Sequence, residues 1–120
     1  FIGHVFKVVG AHVPPPAGLK PPALWGSREH LAELFGPGVQ ISAQERVFNF
    51  RYRSPAHWLQ VFRDYYGPTH KAFAALDAQG QQALERDLAA LLVRSNVGGA
   101  SSLVVPSEYL EVVITKRALR

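Results

Sequence analysis

Residues 108–116 read Glu-Tyr-Leu-Glu-Val-Val-Ile-Thr-Lys, and this stretch decides the class of fold. In an extended chain Leu110, Val112 and Ile114 fall on one side, and Tyr109, Glu111, Val113 and Thr115 on the other. β-Branched residues in such a run predict a strand over 107–116. Its nearly continuous apolar character predicts a central strand, buried on both faces. Residues 44–53 read Gln-Glu-Arg-Val-Phe-Asn-Phe-Arg-Tyr-Arg and give the other strand. Phe48, Phe50 and Tyr52 share one face there, and Val47, Asn49, Arg51 and Arg53 the opposite one. The expectation is an α+β fold built on an antiparallel pair, 44–53 with 107–116.

Everything around these strands reads as helix or turn. Residues 1–12 carry Phe1, Ile2, Val5, Phe6, Val8 and Val9 and read as a helix of about three turns. Pro14-Pro15-Pro16 stops it, because proline lacks an N–H and steers its predecessor away from helical torsions. Residues 13–26 hold five prolines and two glycines. They read as a rigid crossing loop, partly polyproline II, anchored in the core by Leu19, Leu24 and Trp25. Ser27 is a cap for a short helix from Arg28 to Phe35, ended by Gly36-Pro37-Gly38. Ser54-Pro55 opens the next helix with a cap and a proline at its first position. Trp58, Leu59, Phe62, Tyr65 and Tyr66 follow at helical spacing until Gly67-Pro68. A short helix over 69–76 and a long one complete the inventory of four to five helices. Asp77 caps the long one, Leu84, Leu88, Leu91 and Leu92 form its stripe, and Gly98-Gly99 ends it.

A chain of 120 residues suffices for one domain and is too short for two of ordinary size. Nearly half the residues (48%) are hydrophobic and both charge signs are present, which is the composition of a packed core. No apolar run approaches the roughly 20 residues of a membrane span, so no membrane partner is expected. Cysteine is absent. That excludes a disulfide framework and a thiolate metal site, and fits a reducing, cytoplasmic setting. The basic residues behind the net charge of +4 are scattered and several sit beside acids, so the charge reads as a solvated surface. Abundant Ala, Arg, Gly and Pro with little Lys fit a high-GC bacterial source. The chain starts at Phe1 and contains no Met, which predicts that further residues precede it.

A two-stranded pair is marginal by itself. An apolar strand has two edges, and strand 44–53 can cover only one. The other edge would show a row of N–H and C=O groups that invites another strand. The expected partner is either a missing N-terminal half or a second copy of this chain, a dimer joined through the last strand.

Three phrases carry a family resemblance: His-Val-Pro-Pro-Pro at 12–16 leading into Leu24-Trp25-Gly26, Phe-Arg-Asp-Tyr-Tyr-Gly-Pro-Thr-His-Lys-Ala-Phe at 62–73, and Pro-Ser-Glu-Tyr-Leu-Glu-Val-Val at 106–113. With the order of elements, they resemble the C-terminal part of a bacterial class I S-adenosylmethionine-dependent methyltransferase of the type 11-like group. The resemblance covers nearly the whole chain. It implies an α+β fragment of an α/β, Rossmann-like methyltransferase, with the two strands as the sixth and seventh of its sheet and helix 1–12 following the fifth. It also implies that residues 1–120 are the acceptor-side wall and that the donor-binding half lies elsewhere. The family's glycine-rich donor loop has no counterpart, since Gly36/Gly38 and Gly98/Gly99 do not lie between a strand and a helix. S-adenosylmethionine is therefore expected to bind the parent protein, not this chain alone, which is expected to be inactive by itself. The competing reading is a small ligand-binding or self-associating α+β module without enzymatic activity.

Methyl transfer is an in-line displacement in which the protein positions the nucleophile, excludes water and in some cases removes a proton. The residues suited to line an acceptor site, a small-molecule one, are His4, Trp25, Tyr65, Tyr66 and His70; His12 is a further candidate base. His70 follows the Tyr-Tyr-Gly-Pro break, where side chains can face a cleft; the alternative is a solvated helix-start histidine. Tyr65 and Tyr66 are adjacent, so one packs and the other is free for a pocket. His4 lies one turn into the first helix, with a plain surface role as the alternative. Trp25 is either a lid or the anchor of its loop. The five histidines, at 4, 12, 30, 57 and 70, form no i, i+4 pair, so no metal site is expected. Ser101-Ser102 lacks a nucleophile-elbow pattern. Arg46 to Tyr52 superficially resembles an RNA-binding aromatic strand, but Val47 and Asn49 stand where that motif wants glycine and a small residue, so no nucleic-acid partner is expected.

Overall fold

The computed structural model describes residues 1–118. Five α-helices and two strands follow one another as α1 (Ile2–His12), α2 (Arg28–Phe35), β1 (Val39–Tyr52), α3 (Pro55–Tyr65), α4 (Gly67–Ala75), α5 (Ala78–Ser95) and β2 (Leu103–Lys116). A one-turn 3-10 helix, Pro22–Gly26, precedes α2. The α+β class and the two-stranded antiparallel sheet agree with the sequence reading.

Both strands are longer at their starts than the sequence suggested. β1 begins directly after the Gly36-Pro37-Gly38 stop, where Gly36 takes φ 67° and turns the chain out of α2. β2 runs through Pro106. The backbone N–H of Arg117 donates to the Gly38 carbonyl at 3.0 Å, which sets Gly38 opposite Arg117. The same register sets Val39 opposite Lys116 and Tyr52 opposite Leu103, so two 14-residue strands pair end to end. In this ladder the even-numbered residues of β1 and the odd-numbered residues of β2 turn their N–H and C=O groups toward each other. The odd residues of β1 and even residues of β2 turn theirs outward. Two hydrogen bonds agree with that parity. Arg28 Nη1 donates to the outward carbonyl of Ala43 at 3.0 Å, and Val97 N donates to the outward carbonyl of Val104 at 2.9 Å.

The chain divides into two compact units. The helical unit comprises Phe1–Ala17 with Asn49–Ser107. In it α1 packs on α4 and α5, and α3 on α4 and α5. Its core includes Val5 of α1, Trp58 and Phe62 of α3, Phe73 of α4, the stripe Leu84, Leu88, Leu91 and Leu92 of α5, and Leu103 and Val105 of β2. Trp58 and Phe62, one turn apart, stack at 3.8 Å, and Phe1 and Phe50 meet edge to face at 5.7 Å. Two of these helices, α3 and α5, start on a side-chain cap. Ser54 accepts from His57 N at 3.1 Å with Pro55 behind it, and Asp77 accepts from Gly80 N at 2.8 Å. The Gly67-Pro68 break is sharper than expected: Tyr66 both ends α3 and caps α4, so α4 begins at Gly67 and not at residue 69. α5 stops at Ser95, before the expected Gly98-Gly99, because Asn96 is extended and its side chain organises the loop that follows.

The smaller unit comprises Gly18–Phe48 and the residues from Glu108 on. Ser27 caps α2 by accepting from His30 N at 3.2 Å. Here two expectations fail. β2 is not buried on both faces: Leu110, Val112 and Ile114 are half-buried, whereas Tyr109 and Val113 are 49% and 59% exposed. The half-buried residues share a face with Ile41 and Ala43 of β1, so only that face is covered. The proline-rich loop is not anchored in a core either. Leu19 and Trp25 are exposed and Leu24 is half-buried, because the turn over 22–26 lays Trp25 edge-on to Phe35, at 6.1 Å, on the outside of α2. Among the described residues no helix is long and apolar enough to cross a membrane.

Candidate functional site

Three of the five residues singled out from sequence come together at the α3–α4 corner. Tyr66 turns inward and packs on Phe62 at 4.8 Å, while Tyr65 stays 83% exposed; the break at Gly67 thus separates the adjacent tyrosines. Four residues on, His70 N donates to the Tyr66 carbonyl at 2.8 Å. The His70 ring is exposed, with Nδ1 2.9 Å from the Arg63 carbonyl. A carbonyl can only accept, so Nδ1 carries a proton, and in the uncharged form of the ring the lone pair lies at Nε2. A ring held in one tautomer at an exposed corner can take a proton from a group brought to it.

The other two residues lie elsewhere. His4 is exposed on α1, and Trp25 is exposed in the smaller unit. Neither of two clefts in the helical unit includes any of the five. A cleft of about 380 Å³ is lined by Arg53, Ser54, Pro55, Val93, Asn96 and Ser102, among others, and one of about 200 Å³ by Leu59, Arg63, Phe73 and Glu85, among others.

The structure adds partners that spacing along the chain cannot reveal. His12 Nε2 lies 2.6 Å from the Asp87 carboxylate, which joins the end of α1 to α5 across 75 positions. The Arg63 guanidinium lies 4.7 Å from the centre of the Phe73 ring and donates to Gln81 Oε1 at 2.9 Å. Trp58 Nε1 and Thr69 Oγ1 are buried with no hydrogen-bond partner among the described residues. The Glu29 carboxyl is held below its ordinary range, first by a hydrogen bond with its own backbone and then by the Ser27 hydroxyl at 3.0 Å. Among the described residues no group of three or more His, Asp or Glu could hold a metal ion. No protein-family model matches the chain, and no curated protein matches it.

The one strand-to-helix turn among the described residues, β1 to α3, is Arg53-Ser54. It contains no glycine, and the Ser54 hydroxyl is engaged in capping α3.

Proposed function

We propose that this chain is the acceptor-side, C-terminal part of a cytoplasmic, bacterial class I S-adenosylmethionine-dependent methyltransferase, and that it is inactive by itself. One observation carries the reading, beside the resemblance of the three phrases. The smaller unit has Leu31 as its only fully buried residue among those described, while Leu19, Trp25, Leu34, Phe35, Tyr109 and Val113 are exposed. One fully buried leucine beside the half-buried Ile41, Leu110, Val112 and Ile114 is little apolar burial to set against the conformational entropy of ordering some forty residues. Trp25 and Phe35 on the outside of α2, and Tyr109 and Val113 on the uncovered face of β2, are apolar side chains that a covering partner would bury. A donor-binding half of the same enzyme is a body of the right kind.

Under this reading the α3–α4 corner faces the acceptor. His70 Nε2 takes the proton that the accepting O–H or N–H gives up, while the Arg63 carbonyl holds the ring in orientation. Tyr65 and Tyr66 contribute one outward and one packed ring to the same wall. The test is methyl transfer by the protein encoded by the full reading frame, measured with radiolabelled donor. The expected result is activity in that protein, a loss of kcat in His70→Ala with KM for the donor unchanged, and no donor binding by the 120-residue chain in calorimetry. Tight saturable binding of the donor to this chain would overturn the reading, as would a full-length protein that neither binds the donor nor transfers a methyl group.

A further inference from the structure

The two edges of the ribbon are guarded differently. On β1 one outward carbonyl, that of Ala43, is taken by Arg28, and the residues around it, Gln40, Ser42, Gln44, Glu45 and Arg46, are polar. On β2 the outward groups at the start of the strand are also occupied. Val104 O accepts from Val97 N, and Val104 N donates to Asn96 Oδ1 at 2.9 Å. The next outward residue is Pro106, which has no N–H to offer. Beyond it the protection stops. Glu108, Leu110, Val112, Ile114 and Lys116 turn their N–H and C=O groups outward, and none has a partner among the described residues. An apolar strand with an unblocked edge of this length is a template for another strand.

We infer that the 120-residue chain forms a two-fold dimer in which β2 pairs antiparallel with β2 of a second copy, centred on Val112. The inference rests on the ladder and not on the methyltransferase reading. A two-fold axis at Val112 is the arrangement in which every open residue meets another open residue: Glu108 faces Lys116, Leu110 faces Ile114, and Val112 faces itself. All are outward-facing pairs of the kind that exchange both hydrogen bonds, about ten bonds in all. The side chains agree with the backbone. The only charges on these five residues are an acid and a base, and this register sets them directly opposite one another twice, with apolar pairs between. The result is a four-stranded sheet with the Arg28-guarded β1 strands at its edges.

The test is light scattering and sedimentation over a dilution series of the intact chain, with three variants. Val112→Pro deletes the outward N–H at the axis without touching the β1 ladder; it is expected to weaken the dimer at least about tenfold while preserving the circular-dichroism spectrum. Lys116→Glu sets glutamates opposite each other and is expected to weaken the dimer several-fold. The double variant Glu108→Lys/Lys116→Glu is expected to restore it, and this arm stands even if the proline variant misfolds. A monomer at the highest soluble concentration overturns the inference. So does a dimer that the charge reversal leaves unchanged or that the double reversal fails to restore, since either places the contact on another surface.

Discussion

Asn96→Ala isolates the most concentrated polar feature of the helical unit. The Asn96 amide makes four hydrogen bonds within one loop. Nδ2 donates to Gly99 O at 3.0 Å and Ser102 O at 2.9 Å, and Oδ1 accepts from Gly98 N at 2.8 Å and Val104 N at 2.9 Å. Together they tie the end of α5 to the start of β2, the strand that delivers Leu103 and Val105 to the core. Each bond contributes about 0.5–1.5 kcal/mol net, and the partly exposed backbone groups at Gly98 and Gly99 recover some of theirs from water. The expected loss is therefore about 2–4 kcal/mol. For a chain of this length that lowers the melting temperature by about 10–20 °C. Thermal and urea unfolding followed by far-UV circular dichroism measure it. Asn96→Asp sharpens the test, because it keeps the acceptor and sets a carboxylate oxygen against two carbonyls. That repulsion is expected to leave Asn96→Asp less stable than the wild type at neutral pH. A loss under about 0.5 kcal/mol in Asn96→Ala, or an Asn96→Asp variant as stable as the wild type at neutral pH, would refute the role assigned to the amide.

Three further outcomes follow from the same contacts. Gly98→Ala places a methyl group 2.9 Å from Ser102 Oγ and Val104 Cγ2 and 3.0 Å from the Val104 backbone N, so it is expected to cost about 1–3 kcal/mol in urea unfolding. Leu88→Ala opens a hole at a fully buried position of α5, with an expected loss of about 2–5 kcal/mol. Ser27→Ala removes the second cause holding the Glu29 carboxyl low, so NMR titration should find Glu29 protonating at a higher pH in the variant than in the wild type. In the wild type that lowered carboxyl favours the fold above the unfolded carboxyl range, and the contribution fades as pH falls through its folded value.

The helices were legible because their signals are local. Ser27, Ser54 and Asp77 each cap the helix that the sequence assigns them, and the α5 stripe of Leu84, Leu88, Leu91 and Leu92 is buried as its spacing requires. The misreadings share a different cause. Trp25 and Leu19 look like core residues by type, and Val113 by its neighbours, yet burial depends on what else is present to cover them. Within this chain nothing described covers them. The site was legible only in part for a related reason. Tyr66 and His70 are four residues apart, so a single helix start brings them together, whereas the pairing of His12 with Asp87 needs α1 laid on α5.

Pro106 shows why an edge cannot be read by hydropathy alone. A proline in an apolar run argues against a strand, and on that ground β2 would begin after it. In the ladder Pro106 occupies an outward position, so its missing N–H removes no bond to β1, and the strand continues on both sides. One position earlier or later, the same residue would delete a ladder bond. The parity that makes Pro106 harmless to the fold is the parity that leaves Val112 open. Both residues are even, both turn away from β1, and only one of them lacks the N–H that a second strand would use. The two ends of β2 are thus closed and open by the same geometric rule. The Asn96 loop and Pro106 confine any added strand to residues 108–116, whose midpoint is Val112.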